Sequence, residues 1–127
     1  MASASSSGLA SKLTSFSKNN FLSSSDLNRD QILSLFELAK QLKLGYRRID
    51  LGNRVLGLIF NKASTRTRVS FQVAMSRLGG TTIDLNPNTS QIGRGEPIKD
   101  TARVLSRYCD VIAIRTFDHA DLEEYAK

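Results

Sequence analysis

The sequence predicts an α/β fold: a parallel β-sheet with flanking helices, in β-α-β-α-β-α order after one N-terminal helix. Three observations predict it. Apolar runs at Val55–Phe60 and 110–115, with the shorter Thr81–Leu85 between them, have the length of strands. The first does not alternate apolar with polar, as suits a strand covered on both faces of a parallel sheet. Segments of helical period separate the runs, and such alternation argues right-handed crossovers with helices on the sheet faces.

Length and composition set the bounds. With 127 residues there is room for one domain and a modest core. The net charge of +6 invites a nucleic-acid reading, but no basic face interleaved with aromatics and no reading helix is present. Cys109 is the only cysteine, so neither a disulfide framework nor a cysteine metal cluster can form within the chain. No apolar run approaches a membrane-spanning length.

Residues 1–20 are rich in Ser and Ala, with Lys12 and Lys18 and no acid. They read as a disordered extension, with an organellar transit peptide or a cloning-derived tail as alternatives. From about Phe21 the chain reads as the folded domain, 21–127. Asn28 followed by Gln31 forms the pattern of a capping box. Ile32, Leu35, Phe36, Ala39 and Leu42 then mark one helix face, and Gly45 suits the left-handed cap position. Arg47, Arg48 and Arg54 fall in a connection and are expected in solvent.

After the first strand, Ser64 is placed to cap a helix whose apolar face is Phe71, Ala74, Met75 and Leu78, stopped by Gly79-Gly80. The second strand leads to a polar loop, 86–96. Pro97 suits the first position of a third helix with Ile98, Ala102, Leu105 and Tyr108 on one face. The third strand ends at Arg115, and Asp118 is placed to cap a last helix over 120–127.

Chemistry concentrates at Lys62-Ala63-Ser64-Thr65-Arg66-Thr67-Arg68, between a strand and a helix start. A helix N-terminus carries unpaired N–H donors and partial positive charge, so it favours an anion. An arginine fork matches phosphate or carboxylate in two parallel hydrogen bonds. In open α/β sheets ligands bind beyond the carboxyl ends of the strands. The 64–68 turn, the 86–96 loop and Arg115 each follow or end a strand there. A nucleotide P-loop and a dinucleotide fingerprint are both absent. His119, the only histidine, has no visible partners and reads as a surface or capping residue, and Cys109 as a small buried hydrophobe.

The run Phe60-Asn61-Lys62-Ala63-Ser64-Thr65-Arg66-Thr67-Arg68-Val69-Ser70-Phe71-Gln72-Val73-Ala74 resembles the carbamoyl phosphate signature of the aspartate/ornithine carbamoyltransferase family. Gln72 departs from it, since Glu is usual there, which implies an altered helix-surface contact and an unaltered reaction. The stretch from Ser90 to Leu105 is similar to the ornithine branch. The aspartate branch tends to carry Lys-Gly-Glu in this loop and His-Pro after the arginine of the third strand, where this chain has Thr116-Phe117.

The resemblance implies that Ser64, Thr65, Arg66 and Thr67 hold the phosphate. It implies that Arg115 reaches phosphate and carbamoyl oxygen, with Arg66 and Arg115 as the catalytic pair. Gln91 would reach into the site of a neighbouring subunit in a homotrimer. The implied reaction, in arginine biosynthesis, is attack by the neutral δ-amine of L-ornithine on carbamoyl phosphate, giving citrulline and phosphate. It needs no metal or organic cofactor, no nucleic acid and no membrane. The implied location is the cytoplasm, or a plastid or mitochondrion if residues 1–20 are a transit peptide.

Complete members are two-domain proteins, roughly twice this length. The carbamoyl phosphate-binding domain is therefore expected to be incomplete at its C-terminus. A His-Pro-x-Gln motif and an ornithine-binding domain are expected beyond Lys127. A non-catalytic phosphate- or carbamoyl phosphate-binding module, and a fragment of an aspartate carbamoyltransferase, stand as alternatives.

Overall fold

The computed structural model describes residues 20–86 and 95–127. They fall into two compact units, one up to residue 49 and one from residue 50 onward.

In the first unit a short 3-10 turn, Ser24–Asp26, precedes helix α1, Arg29–Lys43. The expected capping box is formed: Asn28 Oδ1 accepts from the Gln31 N–H and Gln31 Oε1 from the Asn28 N–H, both at 2.9 Å. Gly45 takes φ +75°, which an L side chain resists. With it the Tyr46 N–H reaches the Gln41 carbonyl at 3.0 Å and the Gly45 N–H reaches that of Leu42, so these two late carbonyls are satisfied. The apolar face is a correction. Leu35, Phe36 and Ala39 are exposed, Phe36 at 66%, whereas Ser34 is buried. A buried serine is tolerable because its hydroxyl donates to the Asp30 carbonyl at 2.7 Å and needs no partner elsewhere.

In the second unit strands β1 (Val55–Phe60), β2 (Thr81–Leu85) and β3 (Val111–Arg115) form one parallel sheet in the order β2-β1-β3. The central strand is the apolar one, with Leu58 and Ile59 at 0% exposure. Leu56, Leu58 and Phe60 alternate along one face and pack with Met75 of helix α2, Thr65–Arg77. Each such buried side chain contributes about 1.5–3 kcal/mol. On the other face there is room for little beside Gly57, where a Cβ would stand 3.1 Å from Cys109 Sγ. Helices α3 (Ile98–Leu105) and α4 (His119–Tyr125) pack on each other.

The strand ends away from the candidate site are latched by Asp110. Its carboxylate accepts from the Val55 N–H at 2.8 Å and from Arg54 Nη1 at 2.7 Å. Arg54, expected free in solvent, is thus paired although it is exposed. Asp110 itself stands just before β3 rather than inside it.

Two helix faces differ from the sequence expectation. In α2, Phe71 and Ala74 are exposed and the covered line runs through Arg68, Gln72 and Met75. Arg68 can stand inward because Asp84 of β2 lies 3.2 Å from its Nε and its guanidinium lies over the Phe60 ring, 5.4 Å from the centroid. In α3, Thr101 and Leu105 are buried while Tyr108 is exposed, because the helix ends at Leu105. Pro97 is the cap residue of α3, one position earlier than expected. Asp118 caps α4 as expected, accepting from the Ala120 N–H at 3.0 Å. Among the described residues no helix is long and apolar enough to cross a membrane.

Candidate functional site

Strand β1 runs out at Phe60, and four residues later Ser64 stands as N-cap of α2 with φ −158° and ψ 71°. Its hydroxyl makes no capping bond, and the first intrahelical bond runs from the Arg68 N–H to the Ser64 carbonyl at 3.0 Å. The N–H groups of the opening turn are therefore left pointing outward. Helices α1, α3 and α4 each carry an aspartate in the first turn, Asp30, Asp100 and Asp121; α2 carries none. Arg66 stands there instead, exposed and without a hydrogen bond or ion pair among the described residues. The side chains of Ser64, Thr65 and Thr67 are equally unengaged. A helix start that neither caps itself nor neutralises its own dipole is suited to an external anion.

The parallel register sets Phe60 opposite Arg115. Arg115 then joins the turn by both ends: its carbonyl accepts from the Asn61 N–H at 2.8 Å, and its Nη1 donates to the Ala63 carbonyl at 2.9 Å. A guanidinium has five N–H donors, so this bond leaves others for a ligand at the turn. The expected residues Ser64, Thr65, Arg66, Thr67 and Arg115 are brought together at one sheet edge. Gln91 lies outside the described residues.

The two arginines of the Ser-Thr-Arg-Thr-Arg core have different surroundings. Arg66 is free, while Arg68 is neutralised by Asp84, and its Nε is near that carboxylate without the alignment of a hydrogen bond. Sequence reasoning missed Asp84, Asn61 and Thr116. Asn61 Nδ2 donates to Thr116 Oγ1 at 3.3 Å, and Lys62 Nζ lies 4.5 Å from the Phe117 ring centroid. The available signal was positional: both pairs directly follow strands that end side by side.

The remaining reactive side chains lie apart from this chemistry. Burial, then the Asp110 carboxylate, pushes the Cys109 thiol up, so it stays protonated at neutral pH. His119 is exposed and stands 3.7 Å from Glu123 one turn on, as a surface residue.

Residues 19–127 match the family model described as aspartate/ornithine carbamoyltransferase, carbamoyl-P binding domain. An ornithine carbamoyltransferase of Prochlorococcus marinus strain MIT 9312 is 72% identical over 116 residues, 91% of this chain and 38% of that protein. Its namesake in the subspecies pastoris is 74% identical over 108 residues, 85% of this chain and 35% of that protein. The crystal structure of ornithine carbamoyltransferase from Gloeobacter violaceus superposes with a TM-score of 0.75 at 54% identity, over 86% of this chain and 35% of that one. The chain thus spans a little over a third of the length of these relatives. The chain belongs to the aspartate/ornithine carbamoyltransferase family through its carbamoyl-P binding domain.

Proposed function

We propose that this chain is the carbamoyl phosphate-binding part of an ornithine carbamoyltransferase, which transfers the carbamoyl group to the δ-amine of L-ornithine and releases citrulline and phosphate. The observation that carries the reading is the seating of Arg115 on the Ala63 carbonyl, beside an uncapped helix start bearing a free Arg66. Backbone N–H groups, the Ser64, Thr65 and Thr67 hydroxyls and the Arg66 fork hold the phosphate. Arg115 spans phosphate and carbamoyl oxygen. Positive groups fixed there stabilise charge growing on the leaving phosphate and orient the carbonyl for attack.

Ornithine is preferred to aspartate as the acceptor because the relatives at 72% and 74% identity bear the ornithine name. The amine-binding residues belong to the part of those relatives that this chain does not match. In a protein of their length the subunits form a homotrimer in which Gln91 completes a neighbour's site. It serves arginine biosynthesis and works in the cytoplasm, or in a plastid or mitochondrion if residues 1–20 address one.

Citrulline formation by the protein at its relatives' length is the direct assay; carbamoylation of aspartate in place of ornithine would overturn the assignment. The 127-residue chain alone turns over no ornithine, and citrulline from the purified chain would contradict that. Calorimetry on the same chain detects binding of carbamoyl phosphate, and light scattering on the protein at its relatives' length tests the proposed homotrimer.

A further inference from the structure

We infer that Thr116 is a positioning residue for the anion site: its hydroxyl clasps the turn after β3 to the turn after β1 and so fixes Arg115. The inference rests on the carbamoyl phosphate reading above. Arg115 ties the two turns by one backbone bond and one side-chain bond. Its carbonyl takes the Asn61 N–H and its Nη1 reaches Ala63, but it is an exposed side chain at a strand end. Thr116, the next residue, is half-buried and uses its hydroxyl in both senses. It accepts from Asn61 Nδ2 at 3.3 Å and donates to Asp121 Oδ2 at 2.9 Å. Asp121 lies in the first turn of α4, so the chain of bonds runs from the anion turn, through Thr116, into a helix. Phe117, 74% exposed, adds a lighter contact under Lys62.

The consequence follows from what an arginine must do at an anion site. With Nη1 on the Ala63 carbonyl, the plane of the guanidinium decides where its remaining N–H groups point. If the two turns move independently, that plane must be ordered each time an anion binds, which weakens binding. If they are clasped beforehand, the donors are already aimed. Valine at 116 keeps the shape and removes both bonds, whereas serine keeps both bonds and removes a methyl group.

The test uses the chain as it stands, with calorimetry against carbamoyl phosphate and inorganic phosphate, and the Arg115 Nε–H resonance in the ligand-free state. Losing a hydrogen-bonded clasp should weaken anion binding about fivefold to tenfold in Thr116→Val, with Thr116→Ser within about twofold of the parent. The Arg115 Nε–H signal should shift and broaden in the valine variant and recover in the serine variant. Unchanged affinity and an unchanged resonance in Thr116→Val would overturn the inference, as would equal losses in valine and serine. If the parent chain binds neither anion, the carbamoyl phosphate reading fails, and the ligand-free resonance alone decides the clasp. Should Thr116→Val not fold, Asn61→Ala removes only the donor to Thr116 and must move resonance and affinity the same way by a smaller factor; no movement overturns the clasp.

Discussion

Helices α1 and α2 begin in opposite ways. The first is closed by its own sequence: Asn28 and Gln31 exchange two 2.9 Å bonds and Asp30 sits in the opening turn. The second has Ser64 at the cap without a capping bond, no acid in its first turn, and an Arg66 without a hydrogen bond or ion pair among the described residues. One start is satisfied within the chain. The other leaves donors and positive charge facing outward, a cost to the isolated helix that an anion would offset. The difference teaches where binding free energy is stored in a fold of otherwise ordinary helices.

The largest effect should come from removing the charge at the uncapped, acid-free start of α2. Arg66→Ala should weaken carbamoyl phosphate binding by about 1.5–3 kcal/mol, the worth of hydrogen bonds to a charged group. Its melting temperature should stay where it was, since Arg66 is exposed and makes no hydrogen bond or ion pair among the described residues; unchanged affinity would remove the anion site itself. Next, Thr65→Asp makes the start of α2 resemble that of α1. A carboxylate there should stabilise the helix by about 0.3–1 kcal/mol while repelling phosphate. Denaturant titration and calorimetry should therefore move in opposite directions, and a common direction would break the comparison.

The converse change is Asn28→Ala, which opens the capped helix. It should cost about 1 kcal/mol in a denaturant titration. Anion affinity should not follow, because α1 lies in the other unit; a matching loss of affinity would show the two starts to be coupled. The smallest effect belongs to the latched end of the sheet. The Val55 N–H, then Arg54, holds the Asp110 carboxyl below its ordinary value. A group whose folded value is the lower one stabilises fully above its unfolded value of about 3.9 and loses that contribution as pH falls through the folded value. Asp110→Asn should therefore flatten the acid limb of the melting-temperature profile; an unaltered limb would assign it to other carboxylates.

Much of the scaffold was legible because its signals are local. The capping box at Asn28, the left-handed position at Gly45, the stop at Gly79-Gly80 and the cap at Asp118 each act within one turn of backbone. The unalternated run Val55–Phe60 announced a strand covered on both faces. What misled was the assumption that the most apolar helix stripe turns inward. In α2 the inward line contains Arg68, admitted by Asp84 from another strand, and in α1 it contains Ser34, admitted by its own backbone bond. A periodicity counts apolar residues, whereas burial also accepts a polar group whose partner is supplied.

The site divides along the same line. By itself the sequence determined the order of elements, the bare start of α2 and the residues gathered there, because strand, turn and helix start adjoin along the chain. Tertiary structure decided that Arg115 reaches Ala63, that Arg66 is free while Arg68 is paired, and that Thr116 lies between Asn61 and Asp121. Those meetings depend on β1 lying between β2 and β3 in one parallel register, with Phe60 beside Arg115. Strand order is settled by how whole faces pack, and it joins residues more than fifty positions apart that no local pattern can pair.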